Sequence, residues 1–347
     1  MIIPVFIPHL GCPNQCVFCN QKTITGLGEH LTTVETARTE IEAWLARSDA
    51  EGSNELAFYG GSFTAIPYAE QIAYLELAEE YRQKGLIRTI RISTRPDAID
   101  PDHLKLLKAY GVRRIELGAQ SFDDRVLSMS QRGHSAVEIE RAAKGIHEAG
   151  IDLGLQLMVG LPGDSPETDL KGISEAFRLY ATTLRIYPAL VLKGTSLEKL
   201  LLQGAYVPLS LDEAVERVAL MMDAVDEKNS EMTQPKLELI RVGLQENEML
   251  SGSGEVLAGP HHPAFRSLVD TFRFKTRLDQ DAQRCNWRGK NLEVHVRGKD
   301  LSSFVGHQRR NLIYLKNHYG VSALRVVRDE SVPAMRYIIT ITESDGR

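Results

Sequence analysis

Three of the four cysteines in this 347-residue chain lie within eight residues of one another. Cys12, Cys16 and Cys19 form the pattern C-x3-C-x2-C. Cysteine thiolates are the usual ligands of iron–sulfur clusters, and three of them leave one iron of a [4Fe–4S] cluster open to another ligand. A structural zinc site normally takes four protein ligands, so zinc is the weaker alternative. The spacing therefore predicts a [4Fe–4S] site at these three cysteines.

The motif resembles the signature of the radical S-adenosylmethionine (SAM) superfamily, in which C-x3-C-x2-C follows the first strand. The resemblance extends over roughly residues 1–230 and includes later segments at 118–122, 132–134 and 160–163. These segments are similar to the branch of the Elongator catalytic subunit and to the oxygen-independent coproporphyrinogen oxidases.

The resemblance implies two cofactors, a [4Fe–4S] cluster and SAM, and an electron donor of the flavodoxin or ferredoxin type. In that superfamily the open iron holds SAM through its amino and carboxylate groups. The reduced cluster passes one electron to the sulfonium, and a 5′-deoxyadenosyl radical forms that abstracts a hydrogen atom. The cofactors carry this chemistry, while the protein positions them and excludes water.

The resemblance also assigns residues that contact SAM. Gly60 and Gly61 would bind the SAM amino group through their backbone carbonyls, and Ser62 stands where relatives usually carry an acidic residue. Gln120 would bind the ribose hydroxyls, and Gln156 the ribose or adenine. A plain tight turn is the alternative for the two glycines.

Arg132 and the segment after the third predicted strand are further candidates. By the same resemblance, Arg132 would bind the SAM carboxylate, for which a guanidinium is suited because it can match both oxygens; a surface salt bridge is the alternative. Thr94 and Arg95 would face the ligand. Alternatively, their segment only starts a helix that Asp97 or Asp100 caps.

Charged side chains near the strands leave two interpretations open. Glu116 lies in the middle of a strand, where a buried carboxylate is costly unless paired, so it either pairs with an arginine or binds a ligand. Arg185, Tyr187 and Lys193 surround the end of the last predicted strand. They either meet the substrate or form structural ion pairs.

Strand-like and helix-like segments alternate through the first two thirds of the chain. Strand-like runs, each followed by a helical pattern or polar loop, begin near Ile3, Glu55, Ile87, Arg114, Ile151 and Leu184. Such alternation predicts parallel strands joined by crossover helices. We therefore expect an α/β fold, a partial (β/α)6 TIM-like barrel with a small C-terminal α/β domain. Chemistry in such barrels lies at the carboxyl ends of the strands, where the candidates above are found.

Three regions are predicted along the chain: a radical SAM core (1–230), a connector (231–258) and a C-terminal domain (259–347), possibly substrate- or RNA-binding. The last is predicted to contain a helix over Leu301–His318 between strands, one of them Leu292–Val296. From Gly259 onward there are 16 Lys and Arg against 9 Asp and Glu, whereas the other residues carry 25 against 37. This uneven charge has two interpretations. The C-terminal region is a basic module that binds a polyanion, or the solvated surfaces of the domains merely differ in charge.

Residues 305–328 resemble the core of a KH domain, in which a G-x-x-G loop opens a helix and clamps single-stranded nucleic acid. Gly306 stands at the first glycine position and Arg309 at the second, with His307 and Arg310 beside them. A small α/β lid is the alternative. The predicted substrate is therefore RNA, tRNA first. A small molecule or tetrapyrrole is the second interpretation, and a non-catalytic iron–sulfur or zinc RNA-binding protein is the third.

The remaining features suggest no further site. No apolar run approaches the ~20 residues that cross a bilayer, so we expect a cytoplasmic protein without membrane contact; the oligomeric state is left open. Cys285 is interpreted as a free thiol. His261 and His262 are assigned to a loop or helix start rather than to a metal.

Overall fold

The chain forms two compact units. The computed structural model describes residues 1–7, 16–20, 32–47, 54–233, 236–244 and 254–342. The first unit comprises Met1–Arg217 and Ala224–Pro263, and the second comprises Val218–Asp223 and Ala264–Arg347. The division into core, connector and C-terminal domain stays a prediction about functional modules.

The first unit is built on a parallel sheet. Its strands are β1 (Ile2–Ile7), β2 (Asn54–Gly60), β3 (Ile87–Thr94), β4 (Val112–Gln120), β5 (Asp152–Val159), β6 (Thr183–Pro188), β7 (Val191–Leu192), β8 (Glu238–Val242) and β9 (Val256–Ala258). In the described residues the sheet order is β1-β2-β3-β4-β5-β6-β8, all parallel, while β7 and β9 form an antiparallel pair. The predicted partial barrel is confirmed. Strand β8 lies in the predicted connector, where Glu238 and Arg241 interrupt the apolar pattern that marks the other strands.

Helices connect these strands. They are α1 (Val34–Leu45), α2 (Tyr68–Gln83), α3 (Pro101–Ala109), α4 (Asp124–Met129), α5 (Ala136–Glu148), α6 (Pro166–Arg178), α7 (Ser196–Leu202) and α8 (Leu211–Glu231). Ser135, Ser165 and Ser210 close the first turns of α5, α6 and α8 with capping boxes. Asp100 caps α3, as one of the two interpretations expected, and Pro101 occupies its first position.

The two faces of the parallel sheet differ in polarity. The apolar face meets the helices: Phe58 packs against Tyr74 of α2, and Leu157 lies under Gly172 of α6. Side chains alternate between faces along a strand, so the neighbours of these residues point to the opposite side. That side carries buried or half-buried charged residues, namely Glu55, Arg91, Glu116 and Arg185.

The second unit places helices against a three-stranded sheet. Its elements after residue 263 are α9 (Phe265–Arg284), β10 (Asn291–Val296), α10 (Leu301–Val305), α11 (Arg310–Tyr319), β11 (Ala323–Arg328) and β12 (Tyr337–Thr342). Strand β10 lies in the centre, parallel to β11 and antiparallel to β12. Its core contains Phe274, Trp287, Phe304, Leu312 and Leu315. No helix in the described ranges is long and apolar enough to cross a membrane.

The single helix predicted over Leu301–His318 is wrong, because the structure breaks it into α10 and α11. Gly306, Gln308 and Arg309 adopt φ values of 75°, 50° and 61°. Residues in the left-handed region cannot continue a right-handed helix. The loop between the two helices therefore separates them at the position that resembles a KH domain.

Two carboxyl groups share one guanidinium beside the loop after β5. Arg217 Nη2 lies 2.9 Å from Asp164 Oδ2 and 2.6 Å from Asp169 Oδ2. Asp164 also accepts a hydrogen bond from the backbone amide of Gly160 at 2.7 Å. Burial, followed by the charge of Asp164, raises the pKa of Asp169 to about 8. One cation compensates one carboxylate, so Asp169 keeps its proton at neutral pH.

We expect Asp169→Asn to leave the protein folded at neutral pH, because the asparagine amide resembles the protonated carboxyl group of Asp169. The folded-state pKa lies above the unfolded one, so wild-type stability should fall as pH rises between about 5 and 7, by roughly 1 kcal/mol per pH unit from this group. The advantage of Asp169→Asn over wild type should therefore grow with pH in urea unfolding. The exposed Glu216→Gln on α8 controls for the change of net charge. A loss of stability that is the same at every pH would contradict the assignment.

Candidate functional site

The Cys16–Cys19 segment lies at the carboxyl ends of the strands and is fixed by its backbone. The amide of Cys19 donates to the carbonyl of Cys16 at 3.0 Å, which makes a tight turn. Val17 is held on both sides: its amide donates to Ser130 at 3.1 Å, and its carbonyl accepts from Leu197 of α7 at 2.7 Å. Cys16 is thereby buried, and Cys19 is half-buried.

Two buried guanidinium groups converge on the Cys16 thiol. Arg132 donates from Nη1 to Cys16 Sγ at 3.0 Å and from Nη2 to the Gly118 carbonyl at 2.6 Å. Arg95 Nη1 lies 3.9 Å from the same sulfur, and Arg95 also donates to the carbonyl of Arg132. Asp97 holds Arg95 through two bonds of 2.9 and 3.0 Å. These cations would compensate a thiolate, the form in which cysteine ligates iron.

Two glutamine amides lie at the ends of β4 and β5. Gln156 Nε2 donates to Gln120 Oε1 at 3.2 Å. Gln120 is buried and has φ of 69°, at an irregularity of the β4–β5 register. A β-carbon at Gly118 would come within 3.0 Å of Gln120 Nε2 and 3.5 Å of Arg132 Nη2. A side chain at position 118 would therefore require the Gln120 amide to shift by a few tenths of an ångström. The left-handed backbone of Gln120 is of the strained kind that clusters at functional sites.

The turn after β2 contains the three remaining SAM candidates. Gly60 has φ of 97°, which a side chain rarely permits, and it pairs with Ile7 at the end of β1. Ser62 is buried. The hydroxyls of Thr64 and Thr94 are hydrogen-bonded, so the turn is joined to the end of β3. The site candidates thus form one continuous set across the ends of β2 to β5.

His134 belongs to the same set, although the sequence analysis gave it no role. Arg132 Nε donates to His134 Nε2 at 3.3 Å. Burial, followed by the charge of Arg132, lowers the pKa of His134 to about 4. The imidazole is therefore neutral at physiological pH and can accept this bond. The signal for it in the sequence was its place in the segment 132–134, which resembles the family.

Below these residues, the polar face of the sheet holds an ion-pair ladder. Glu116 accepts from Arg91 at 2.8 Å and from Arg185 at 2.7 Å, and Arg91 also pairs with Glu55. Arg185 Nη2 donates to the Tyr59 hydroxyl at 2.7 Å. The structure thus decides for the ion-pair interpretation of Glu116 and Arg185.

Tyr59 and Tyr187 converge on the guanidinium of Arg185 at the upper end of the ladder. Arg185 Nη1 lies 3.3 Å from the Tyr187 hydroxyl. Burial and the nearby charge of Glu116 raise the pKa of Tyr59, so it stays a neutral phenol. Lys193, the third candidate of this group, is exposed, and its carbonyl accepts from Asn20 at 3.0 Å.

Comparison with known families identifies the chain. The model of the Radical SAM superfamily matches residues 6–171, and that of the Radical_SAM C-terminal domain matches residues 181–272. The chain belongs to the radical SAM superfamily. The predicted family is therefore confirmed, and with it an enzyme that uses a [4Fe–4S] cluster and SAM. A radical SAM fold also explains why the candidates gather at the carboxyl ends of β2 to β5.

Curated relatives of this radical SAM protein include tRNA-modifying proteins. The tRNA uridine(34) acetyltransferase of Methanocaldococcus infernus is 26% identical over 257 residues, 63% of this chain and 48% of that relative. Elongator complex protein 3 of Homo sapiens is 31% identical over 264 residues, 65% of this chain and 48% of that relative. The chain thus spans about half the length of these curated relatives. The predicted branch is confirmed.

The solved structures support the fold. The archaeal Elp3 of Methanocaldococcus infernus with an N-terminal deletion has a TM-score of 0.63 and 22% identity, over 82% of this chain and 64% of that one. At this identity the likeness concerns the fold alone. The metal assignment of Cys16 and Cys19 stays a prediction, since Cys12 lies outside the described residues. The assignments of Gly60, Gly61, Ser62, Thr94, Arg95, Gln120, Arg132 and Gln156 to SAM also stay predictions.

Glu116→Gln should destabilise the fold strongly, because it leaves two buried guanidinium groups without their shared carboxylate. We expect a loss of about 3–5 kcal/mol in the free energy of unfolding by urea titration. Asp102→Asn is the matched control, since it breaks the exposed pair with Lys105 and should cost no more than about 1 kcal/mol. Equal losses in the two variants would show that the ladder is not a structural centre.

Proposed function

We propose that this protein cleaves SAM reductively and directs the resulting radical to RNA, with tRNA as the first candidate. When bound, the cluster and SAM supply the 5′-deoxyadenosyl radical. The observation that carries the proposal is the buried contact of Arg132 with Cys16, beside the Gln120–Gln156 amide pair. It supports a site that holds a cluster ligand and a polar cofactor side by side.

The residues offer the donors and acceptors that SAM requires. A guanidinium has five N–H groups, and three nitrogens of Arg132 each use one on Cys16, Gly118 and His134. One N–H therefore remains on each of its two terminal nitrogens, which suits a carboxylate. Gln120 and Gln156 can hydrogen-bond ribose hydroxyls or adenine through the amide donors and acceptors that the bond between them does not occupy. The Gly60–Ser62 turn would supply backbone carbonyls for the amino group, and Thr94 and Arg95 would line the site.

The charges on the polar face favour a nucleotide over a tetrapyrrole. The guanidinium groups of Arg91 and Arg185 are compensated by Glu55 and Glu116. Arg241, paired in register with Arg185, donates to the Gly243 carbonyl at 3.3 Å and has no carboxylate partner within the described ranges. One uncompensated cation suits a single phosphate better than the several carboxylates of a tetrapyrrole.

The similarity to tRNA-modifying relatives and the basic C-terminal region further support RNA as the substrate. The proposal takes the protein to act in the cytoplasm with a reductant of the flavodoxin or ferredoxin type. A non-catalytic iron–sulfur or zinc protein is set aside, because the family is one of enzymes.

The proposal is tested with anaerobically reconstituted protein, dithionite and SAM. We expect 5′-deoxyadenosine to form, and its rate to increase with tRNA from cells that lack the protein. Digestion of that tRNA should then show a nucleoside of changed mass. An increase with coproporphyrinogen III and none with tRNA would move the tetrapyrrole interpretation ahead, and no 5′-deoxyadenosine at all would remove the catalytic proposal.

The role of Arg132 is tested separately by calorimetric titration of SAM. Loss of a charge-assisted hydrogen bond costs about 1.5–3 kcal/mol, so Arg132→Ala should bind SAM roughly ten-fold or more weakly. Arg132→Lys keeps a cation near Cys16 but lacks the fork, and it should retain iron while losing part of the SAM affinity. Unchanged SAM affinity in both variants, with iron retained, would remove Arg132 from the SAM site.

A further inference from the structure

The second unit contains a strand–helix–loop–helix–strand arrangement with parallel strands. Strand β10 leads into α10, a four-residue loop leads into α11, and β11 returns beside β10 in parallel register. Phe304 of α10 and Leu312 and Leu315 of α11 are buried in the core, so both helices are fixed on one face of the sheet. The loop Gly306–Arg309 is presented at their junction.

Buried contacts fix the backbone of this loop, and the exposed side chains of the loop do not contribute to them. Asn311 is buried and donates to the carbonyls of Phe304 at 3.0 Å and Thr271 at 3.1 Å. A β-carbon at Gly306 would lie 2.9 Å from Arg310 Cγ and 3.0 Å from Thr271 Cγ2, so only glycine fits there.

Arg309 occupies the position of the second glycine in a G-x-x-G loop and keeps its conformation. With φ of 61° it adopts the left-handed region for which glycine is normally chosen. The side chains of Gln308 and Arg309 are both exposed, so packing does not explain two successive left-handed residues. Compared with a G-x-x-G loop, arginine at this position keeps the left-handed turn and adds a positive charge.

The positive charge of the loop is not compensated within the protein. Several other arginines of the second unit are paired, for example Arg325 with Glu293 and Arg328 with Glu330. Arg309 and Arg310 are exposed and have no carboxylate within ion-pair distance in the part of the chain that the structure describes. Such charges favour an anionic partner.

The helix after the loop adds an apolar and a further basic side chain. Ile313 and Lys316 lie three residues apart on α11, so they are neighbours on its surface, and Ile313 is 51% exposed. Lys316 is also exposed and without a carboxylate partner among the described residues. A cation, an apolar contact and a second cation in this order match an alternation of phosphates and bases along a single strand.

We propose that this surface, the loop Gly306–Arg309 with Arg310, Ile313 and Lys316 of α11, binds a single-stranded segment of RNA. The inference rests on the proposed function in taking RNA rather than DNA as the occupant, and it gives the substrate a second contact outside the SAM site. The loop cations contact phosphates, and Ile313 lies against a base.

The test is a fluorescence anisotropy titration of the full-length protein with a labelled single-stranded RNA of about eight nucleotides, twice the length that such a loop clamps. Log affinity should fall steeply with log salt. In Arg309→Gln/Arg310→Gln the slope should decrease by about one to two units, since two phosphate contacts no longer release counterions. The titration needs neither SAM nor a reductant, so its outcome is independent of SAM cleavage.

Arg325→Gln/Arg328→Gln is the matched control, because it removes the same charge from two exposed, paired arginines of β11. Wild type and control should have the same slope, and melting temperatures should verify that all three proteins are folded. The proposal is overturned if wild type binds no RNA at low salt, if the loop variant keeps the wild-type slope, or if the control changes as much. Tighter binding of DNA of the same sequence would reject RNA as the occupant.

Discussion

Two guanidinium groups share the carboxylate of Glu116 in the middle of the parallel sheet, and the arrangement above it depends on this contact. Arg91 comes from β3 and Arg185 from β6, so one side chain joins strands that are far apart in sequence. Arg185 then reaches Tyr59, the residue before the Gly60 turn. Buried charges of this kind are stable only as a complete set, so the spacing of the strand ends is fixed with them.

Above the ladder, two buried arginines converge on a cysteine thiol, as the arginines of the ladder converge on the Glu116 carboxylate. Arg132 joins Cys16 to the Gly118 carbonyl, and Arg95 lies behind it with its own partner, Asp97. The cysteine segment is thereby positioned by Arg132 and Arg95 as well as by its own backbone hydrogen bonds. In the proposed function, this arrangement holds the negatively charged cluster beside a cofactor that carries both charges. Its burial would protect a radical from water.

The sequence predicted the alternation of strands and helices well, because most helix-facing strand residues are apolar and several helices begin with a capping box. It did not predict β8, where Glu238 and Arg241 replace much of the apolar pattern. The helical spacing on both sides of Gly306 predicted one continuous helix, and only the resemblance to a KH domain placed a loop there, since left-handed conformation has no signal in Gln308 or Arg309.

The cysteine motif and the SAM candidates could be named from the sequence, but their contacts could not. The Arg132–Cys16 bond spans 116 residues, and the Glu116–Arg185 bond spans 69. Such pairs follow only from the register of the strands and from the positions of the loops that follow them. The alternation of charged with apolar residues around Arg91 and Glu116 was the available signal that one face of the sheet is polar.

Iron analysis and electron paramagnetic resonance of the reduced protein, before and after addition of SAM, test the central claim most directly. The claim is that the segment beside Arg132 holds a [4Fe–4S] cluster with an iron open to SAM. The account predicts about four iron atoms per chain and a cluster signal that changes when SAM is added. Bound zinc without iron, or a cluster signal that SAM leaves unchanged, would contradict it.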